Sequence, residues 1–223
     1  MRLFLNISLM AAMAITAVSC KRAYNIEGRI DFYGYDGEML YLITHENDEF
    51  AAVDSCCVRH GLFSMKGKTD STVFSVLCHG FEPLMPLMIE PGKLQVKVSP
   101  SEIEAKGTKL NNQLYDFLDK KNAIDNRFED AFQRSQRMSA VVNPTENSED
   151  SLKAIVDEAE DFFFDFVSKH YSDPLGVAIF LMLCTGDDIQ EPTPLLKRIV
   201  DDAPDKFLAN YKVRKYLEMV GMD

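Results

Sequence analysis

The chain has 223 residues, 46% of them hydrophobic, enough for one or two small domains with a real core. Its 35 acidic residues outnumber the 24 lysines and arginines and give a formal net charge of −11. A surface of that sign opposes nucleic-acid binding, which draws much of its affinity from neutralised phosphates, and opposes unaided adsorption to anionic lipid head groups.

At the N-terminus, Met1-Arg2 is a short positive start and Leu3 to Val18 is apolar apart from Asn6, Ser8 and Thr16. Ala17-Val18-Ser19 then sets small residues before Cys20. The apolar run is too short to span a bilayer stably and has the layout of a secretory signal. Cys20 directly after small residues resembles the cleavage box of bacterial lipoproteins, with Ala17 standing where leucine is usual. The expectation is a lipoprotein signal peptide over residues 1–19 and a lipid anchor on Cys20. That anchor would hold the protein at the membrane of a bacterial cell envelope, provided that it carries more than one acyl chain. Lys21 and Arg22 follow with no acidic cluster, which favours a periplasm-facing position. Past residue 20 the longest apolar run, Leu175 to Cys184, has the length of a buried core helix.

From Tyr24 to about Val98 the pattern is short and β-like. Tyr24 to Ile30 alternates, Tyr33-Gly34-Tyr35-Asp36-Gly37 supplies turn chemistry, and Met39 to Ile43 reads as a strand with both faces partly buried. Ala51 to Val58 and Leu62 to Gly67 read as two strands meeting across the tight connection Arg59-His60-Gly61. Val73 to Cys78, Leu87 to Glu90 and, after Pro91-Gly92, Leu94 to Val98 complete the series. Strands this short with regular turns argue for a sandwich or barrel-like sheet.

After Gly107-Thr108 the apolar period lengthens. Leu110, Leu114, Phe117, Leu118, Ile124, Phe128 and Phe132 mark one helical face, ended by Asn143-Pro144. Thr145 to Asp150 reads as a polar linker, and a second helix is expected from about Ser151 to His170. Asp173-Pro174 and Thr193-Pro194 are helix starts with proline at the first position, Gly186 is a helix stop, and Ala203-Pro204 opens a last helix. The fold class that follows is α+β: an N-terminal antiparallel β-sandwich or barrel-like sheet over residues 20–106, then a C-terminal helical bundle over residues 107–223.

Several short motifs form a recurring series: Val53-Asp54-Ser55, Gly61 to Gly67, Met88-Ile89-Glu90-Pro91-Gly92, and Lys106-Gly107-Thr108 with Asn111-Asn112. The series resembles a β-rich domain of unknown function found at the N-terminus of many Bacteroidota lipoproteins, where helices and then a thioredoxin-like domain of the thiol-peroxidase or TlpA/ResA kind follow. Asp173 to Ala178 is similar to a helix start in such linkers. The resemblance implies an envelope location and a β-then-helix fold. The chain stops at Asp223 with no thioredoxin-like domain and no reactive Cys near a helix start, so the redox activity of that domain is not implied.

Chemistry-bearing residues are few. Cys56, Cys57 and Cys78 are a candidate thiol-exchange set, with Cys184 as a fourth thiol, and the alternative is that all four are small buried apolar residues. His45 beside Glu46, Asp48 and Glu49 is either a hard-cation cluster or a charged turn, the turn being preferred since the EF-hand spacing is missing. Glu129-Asp130, Asp187-Asp188 and Asp201-Asp202 read as solvated helix-face or helix-end pairs. Phe162-Phe163-Phe164 with Phe166 is a partner-binding ridge or helix packing, and Phe81, Pro83, Met85, Pro86 and Met88 form an adaptable apolar groove or core, with packing preferred in both cases. The functional expectation is a non-catalytic binding or assembly lipoprotein with no metal and no cofactor. The alternative is an accessory thiol-redox factor for a separate thioredoxin-like protein. Its expected partners are the membrane through Cys20 and an envelope or thioredoxin-like protein, not nucleic acid.

Overall fold

A computed structural model describes residues 22–46, 49–139, 146–184 and 192–222. Cys20, the segment 1–19, Asp48, Asn143-Pro144, Gly186 and Asp187-Asp188 lie outside the described residues. Eight strands come first: β1 (Arg22–Ile30), β2 (Met39–Glu46), β3 (Glu49–Cys57), β4 (Leu62–Thr69), β5 (Val73–His79), β6 (Glu82–Ile89), β7 (Gly92–Ser99) and β8 (Glu102–Lys106). Six helices follow: α1 (Lys109–Ser139), α2 (Glu146–Lys169), α3 (Pro174–Leu183), α4 (Pro194–Asp202), α5 (Asp205–Leu208) and α6 (Tyr211–Val220). The α+β order read from the sequence is the one observed.

The strands form two four-stranded sheets, one ordered β4-β1-β7-β8 and the other β3-β2-β5-β6. Both are antiparallel except where β1 runs parallel to β7. Buried Ile26, Ile30, Leu94, Val96 and Val98 of the first sheet join Leu40, Leu42, Leu77, Leu87 and Ile89 of the second in one core cluster. That cluster extends without a break into Leu114, Phe117, Leu175, Phe180 and Phe207 of the helices. In β1 and β4, Tyr24 faces Gly67 and Gly28 faces Phe63 across the ladder. A Cβ on Gly67 would lie 2.3 Å from Tyr24 Oη and one on Gly28 would lie 2.1 Å from the Phe63 ring, so each ring occupies the side-chain space of a facing glycine.

Five expectations need correction. The Arg59–Leu62 turn is tight, with His60 at φ 53° and Gly61 at φ 72°, but the strands it joins part at once, β3 into one sheet and β4 into the other. β8 was missed, being only five residues long. The stretch 146–150 is helical, so α2 starts before the expected linker ends. The last helix is two, because the Asn210 side chain accepts from the Lys212 N–H and starts α6 anew. Phe128 and Phe132 also differ from the expected stripe, being 37% and 41% exposed and stacked on one another.

The junction of sheet and helix is made by one fully buried side chain, Asn111. Its Nδ2 donates to the Met88 carbonyl at 2.8 Å and its Oδ1 accepts the Met88 N–H at 2.9 Å, on the edge strand β6. Nδ2 also donates to Thr108 Oγ1 at 2.8 Å. The Glu90 carboxylate accepts the Leu110 and Asn111 N–H groups at 2.7 and 3.1 Å, satisfying donors that the first turn of α1 leaves free. Gly107 is required just before, since it sits at φ +121° and a Cβ there would be 2.4 Å from the Lys93 carbonyl oxygen.

Replacing Asn111 by Ala strands the Met88 N–H and C=O in a buried site, and each orphaned group costs about 1–3 kcal/mol. Urea unfolding of Asn111→Ala should therefore show a loss of about 3 kcal/mol with an unchanged slope. A loss below about 0.5 kcal/mol, the size of an ordinary surface substitution, would show that the clamp is dispensable.

Candidate functional site

In β2, Leu40, Leu42 and Thr44 point into the sandwich, which puts Tyr41, Ile43 and His45 on the outer face of sheet β3-β2-β5-β6. The register places Ala52 and Phe50 of β3 opposite Ile43 and His45, and Cys78 and Val76 of β5 opposite Tyr41 and Ile43. This outer face is apolar, where an antiparallel sheet with a solvated face would be polar. The helices cover part of it: Met88, which faces Phe74, is 1% exposed, and α3 packs on β5. The half formed by β3 and β2 stays open. There Phe50 is 80% exposed, and Phe81 at the β5–β6 turn is 100% exposed.

The open half is a trough of about 650 Å³, within the range of small-molecule sites. Ile43, Ala52, Val76 and Cys78 form its floor, Phe50, Phe81 and Pro83 its rim, and Lys212 of α6 its far wall. The two hydroxyls beneath are already used, Ser75 Oγ donating to the Leu87 carbonyl at 3.0 Å and Thr44 Oγ1 to that of Ala51 at 3.4 Å. His45 packs against Phe50 with the rings tilted by 44° and their centroids 4.7 Å apart, which gives it an aromatic neighbour in the rim. A second cavity of about 430 Å³ lies between α3, α5, α6 and the β4–β5 turn, and Phe74 and Lys212 line both.

Of the groove expected from sequence, Phe81 and Pro83 line the trough, whereas Met85 and Met88 are buried and Pro86 turns its carbonyl to Tyr115 of α1. Tyr41, Ile43, Phe50, Val76 and Lys212 were missed. Their one sequence signal is the apolar run Met39 to Ile43, which shows no polar face.

The phenylalanine ridge is half-buried and packed between helices. Phe162, Phe163 and Phe166 gather around Phe117 of α1 at centroid distances of 5.3, 5.7 and 4.6 Å, and Phe164 carries the Arg198 guanidinium of α4 at 3.9 Å. His170 is buried, with Nδ1 2.8 Å from Asp173 Oδ2, while Asp173 Oδ1 accepts from the Leu175 and Gly176 N–H groups at the start of α3. Glu129, Asp130, Asp201 and Asp202 are exposed on or at the end of their helices. Among the described residues, no three His, Cys, Asp or Glu side chains gather as a metal cluster.

The described cysteines are free thiols. Cys56 and Cys57 follow one another along β3 and so face opposite sides of the sheet. Cys56 lies on the sandwich side with Leu40, and Cys78 on the outer face with Tyr41. Cys57 shares the outer face with Cys78, but β2 runs between them, a span of about 9.5 Å by strand spacing. Disulfide-bonded Cα atoms lie within about 7 Å. Burial pushes the Cys56 and Cys78 thiols above the usual range and raises Cys184 to about 12, which keeps them protonated and poorly nucleophilic at neutral pH. Cys57 is half exposed, its Sγ 3.3 Å from the Gly37 carbonyl oxygen.

Timed alkylation at pH 8 with peptide mapping should accordingly modify Cys57 first and Cys78 and Cys184 only on unfolding. Equal rates at Cys57, Cys78 and Cys184 would show that burial does not control the thiols.

Residues 24–114 match the family model described as a domain of unknown function (DUF4369). That span runs from β1 to the second turn of α1 and takes in Glu90, Gly107 and Asn111. No curated protein and no solved structure matches the chain.

Proposed function

We propose that this chain is a cell-envelope lipoprotein, held by acyl groups on Cys20, that works as a non-catalytic binding module through the open half of its outer sheet face. The observation that carries the reading is the uncovered apolar trough. Elsewhere α1 and α3 lie against the β-sandwich, and the phenylalanines of α2 turn inward onto α1 and α4. On this face Phe50 and Phe81 stay in water at an energetic disadvantage, with about 25 cal/mol recoverable for every Å² of apolar surface that a ligand removes from solvent. The membrane attachment rests on the small-residue run before Cys20. It is consistent with a described structure in which no helix is long and apolar enough to cross a membrane.

The accessory thiol-redox reading, with a thioredoxin-like partner, draws support from Cys57 alone, the half-exposed thiol of the Cys56-Cys57 pair. The desolvated Cys56 and Cys78 weigh against it.

Two measurements test the proposal. Metabolic labelling with an alkyne-tagged fatty acid should mark the wild-type protein and not Cys20→Ala, and an unlabelled wild type overturns the anchor. The neutral dye N-phenylnaphthylamine should bind saturably with enhanced fluorescence to the chain from residue 21 onward, which contains every described residue. Ile43→Glu, which sets a charge on the floor, should weaken that binding by at least about tenfold. Phe81→Ser should weaken it a few-fold with an unchanged melting temperature, its side chain being fully exposed. Dye binding indifferent to both substitutions would remove the trough from the proposal.

A further inference from the structure

We infer that the trough takes a free single-chain anionic amphiphile, a fatty-acid-like carboxylate, with its acyl tail along Ile43 and Val76 and its head group at Lys212; this rests on the reading of that face as a binding surface. The first support is the chemistry of the floor. Ile43, Ala52 and Val76 offer no hydrogen-bonding side chain, and the Cys78 thiol is turned to the Val76 carbonyl at 3.7 Å. A peptide laid flat on those three side chains, away from the β3 edge, would bury backbone N–H and C=O groups that they cannot pair, at a cost that an acyl chain does not incur.

The second support is charge. In a chain of net charge −11, the trough and the cavity that continues it past Phe74 are lined by two lysines, Lys206 and half-buried Lys212. Neither ammonium group enters an ion pair among the described residues. The one carboxylate lining the pair of cavities, Asp173, is already engaged by His170 and by two N–H groups of α3. The ammonium groups of Lys212 in the trough and of Lys206 in the adjoining cavity are therefore available to an anion. A tail on the sheet with an anion at α6 matches both halves of the site, and a cationic or neutral amphiphile matches only one.

The third is shape. The trough is bounded on one side by the β3 edge and on the other by Lys212 of α6, a concavity open to a single chain from solution.

Displacement of N-phenylnaphthylamine from the chain beginning at residue 21 tests the inference, with ligands kept below their micellar concentrations. Hexadecanoate should displace the dye at a concentration about tenfold lower than hexadecanol, and hexadecyltrimethylammonium should be the poorest of the three. In Lys212→Met with Lys206→Met, with each competitor scored against that variant's own dye affinity, the advantage of carboxylate over alcohol should vanish while the melting temperature stays at the wild-type value because the apolar stems remain. Equal displacement by carboxylate and alcohol, or an advantage that survives both substitutions, overturns the head-group assignment and leaves the apolar site standing. Dye displacement by an extended apolar peptide but by no amphiphile, or binding seen only with lipid vesicles, overturns the amphiphile itself. Absence of dye binding to the wild type overturns the binding surface and this inference together.

Discussion

The exposed edge of β6 is the constraint on which the rest of the structure depends. A sheet edge presents unpaired N–H and C=O groups, and a helix start presents four free N–H groups. Here the two needs are met at one place. Asn111 offers Met88 the acceptor and donor that a neighbouring strand would offer, and Glu90, two residues along, caps the helix that carries Asn111. One helical turn later the Tyr115 hydroxyl donates to the Pro86 carbonyl at 3.1 Å. Two strand residues span about 6.7 Å and four helical residues about 6 Å, so the two periods match over this pair. Pro83 and Pro86 have no N–H that would need a partner.

From that docking follows the asymmetry of the molecule. With α1 fixed against β6 and β8, α3 packs on β5, where Met88 is buried and Phe74 half-buried. That helix does not reach β3. The edges differ in the same sense: β4 carries exposed Lys66 and Lys68, while the start of β3 exposes Phe50, Ala51, Ala52 and Val53, with a bulge at Val53. Charged residues discourage edge pairing and an apolar edge does not. Phe50 and the trough it rims thus lie beside a sheet edge whose first half carries a single charged residue, Glu49. The covered part of the same face, where Phe74 and Met88 pack, shows what that surface does when a partner element is present.

Much of the fold was legible because its signals are local. Strand alternation, the Asp173-Pro174 and Thr193-Pro194 starts and the long apolar period of α1 each sit within a few residues of what they specify. The misses are of another kind. That β3 and β4 part after Gly61, and that β1 runs parallel to β7, depend on pairings between distant segments. The motif Met88 to Gly92 with Gly107 to Asn112 stood out in the sequence as turn chemistry, yet its main work is a clamp between residues 23 apart, which no turn signal encodes. The trough was half legible. Phe81 and Pro83 marked it and Met39 to Ile43 hinted at an apolar outer face, but Lys212 lies more than a hundred residues from all of them and joins them only through the packing of α6.

This distance also divides the chemistry of the site. The floor strands β2, β3 and β5 fall inside the matched span of residues 24–114, and so does the Asn111 clamp that orients the helices. The cationic wall, Lys206 and Lys212, falls outside it. The β-sandwich accordingly supplies a general apolar surface, whose attraction is non-directional and scales with area. The helices beyond the matched span supply the two lysines on which the proposed choice between head groups rests. A chain with the same sandwich and different later helices would keep the first property and lose the second. On the proposed reading, ligand preference would then be set by α5 and α6, and affinity for an apolar tail by the sheet.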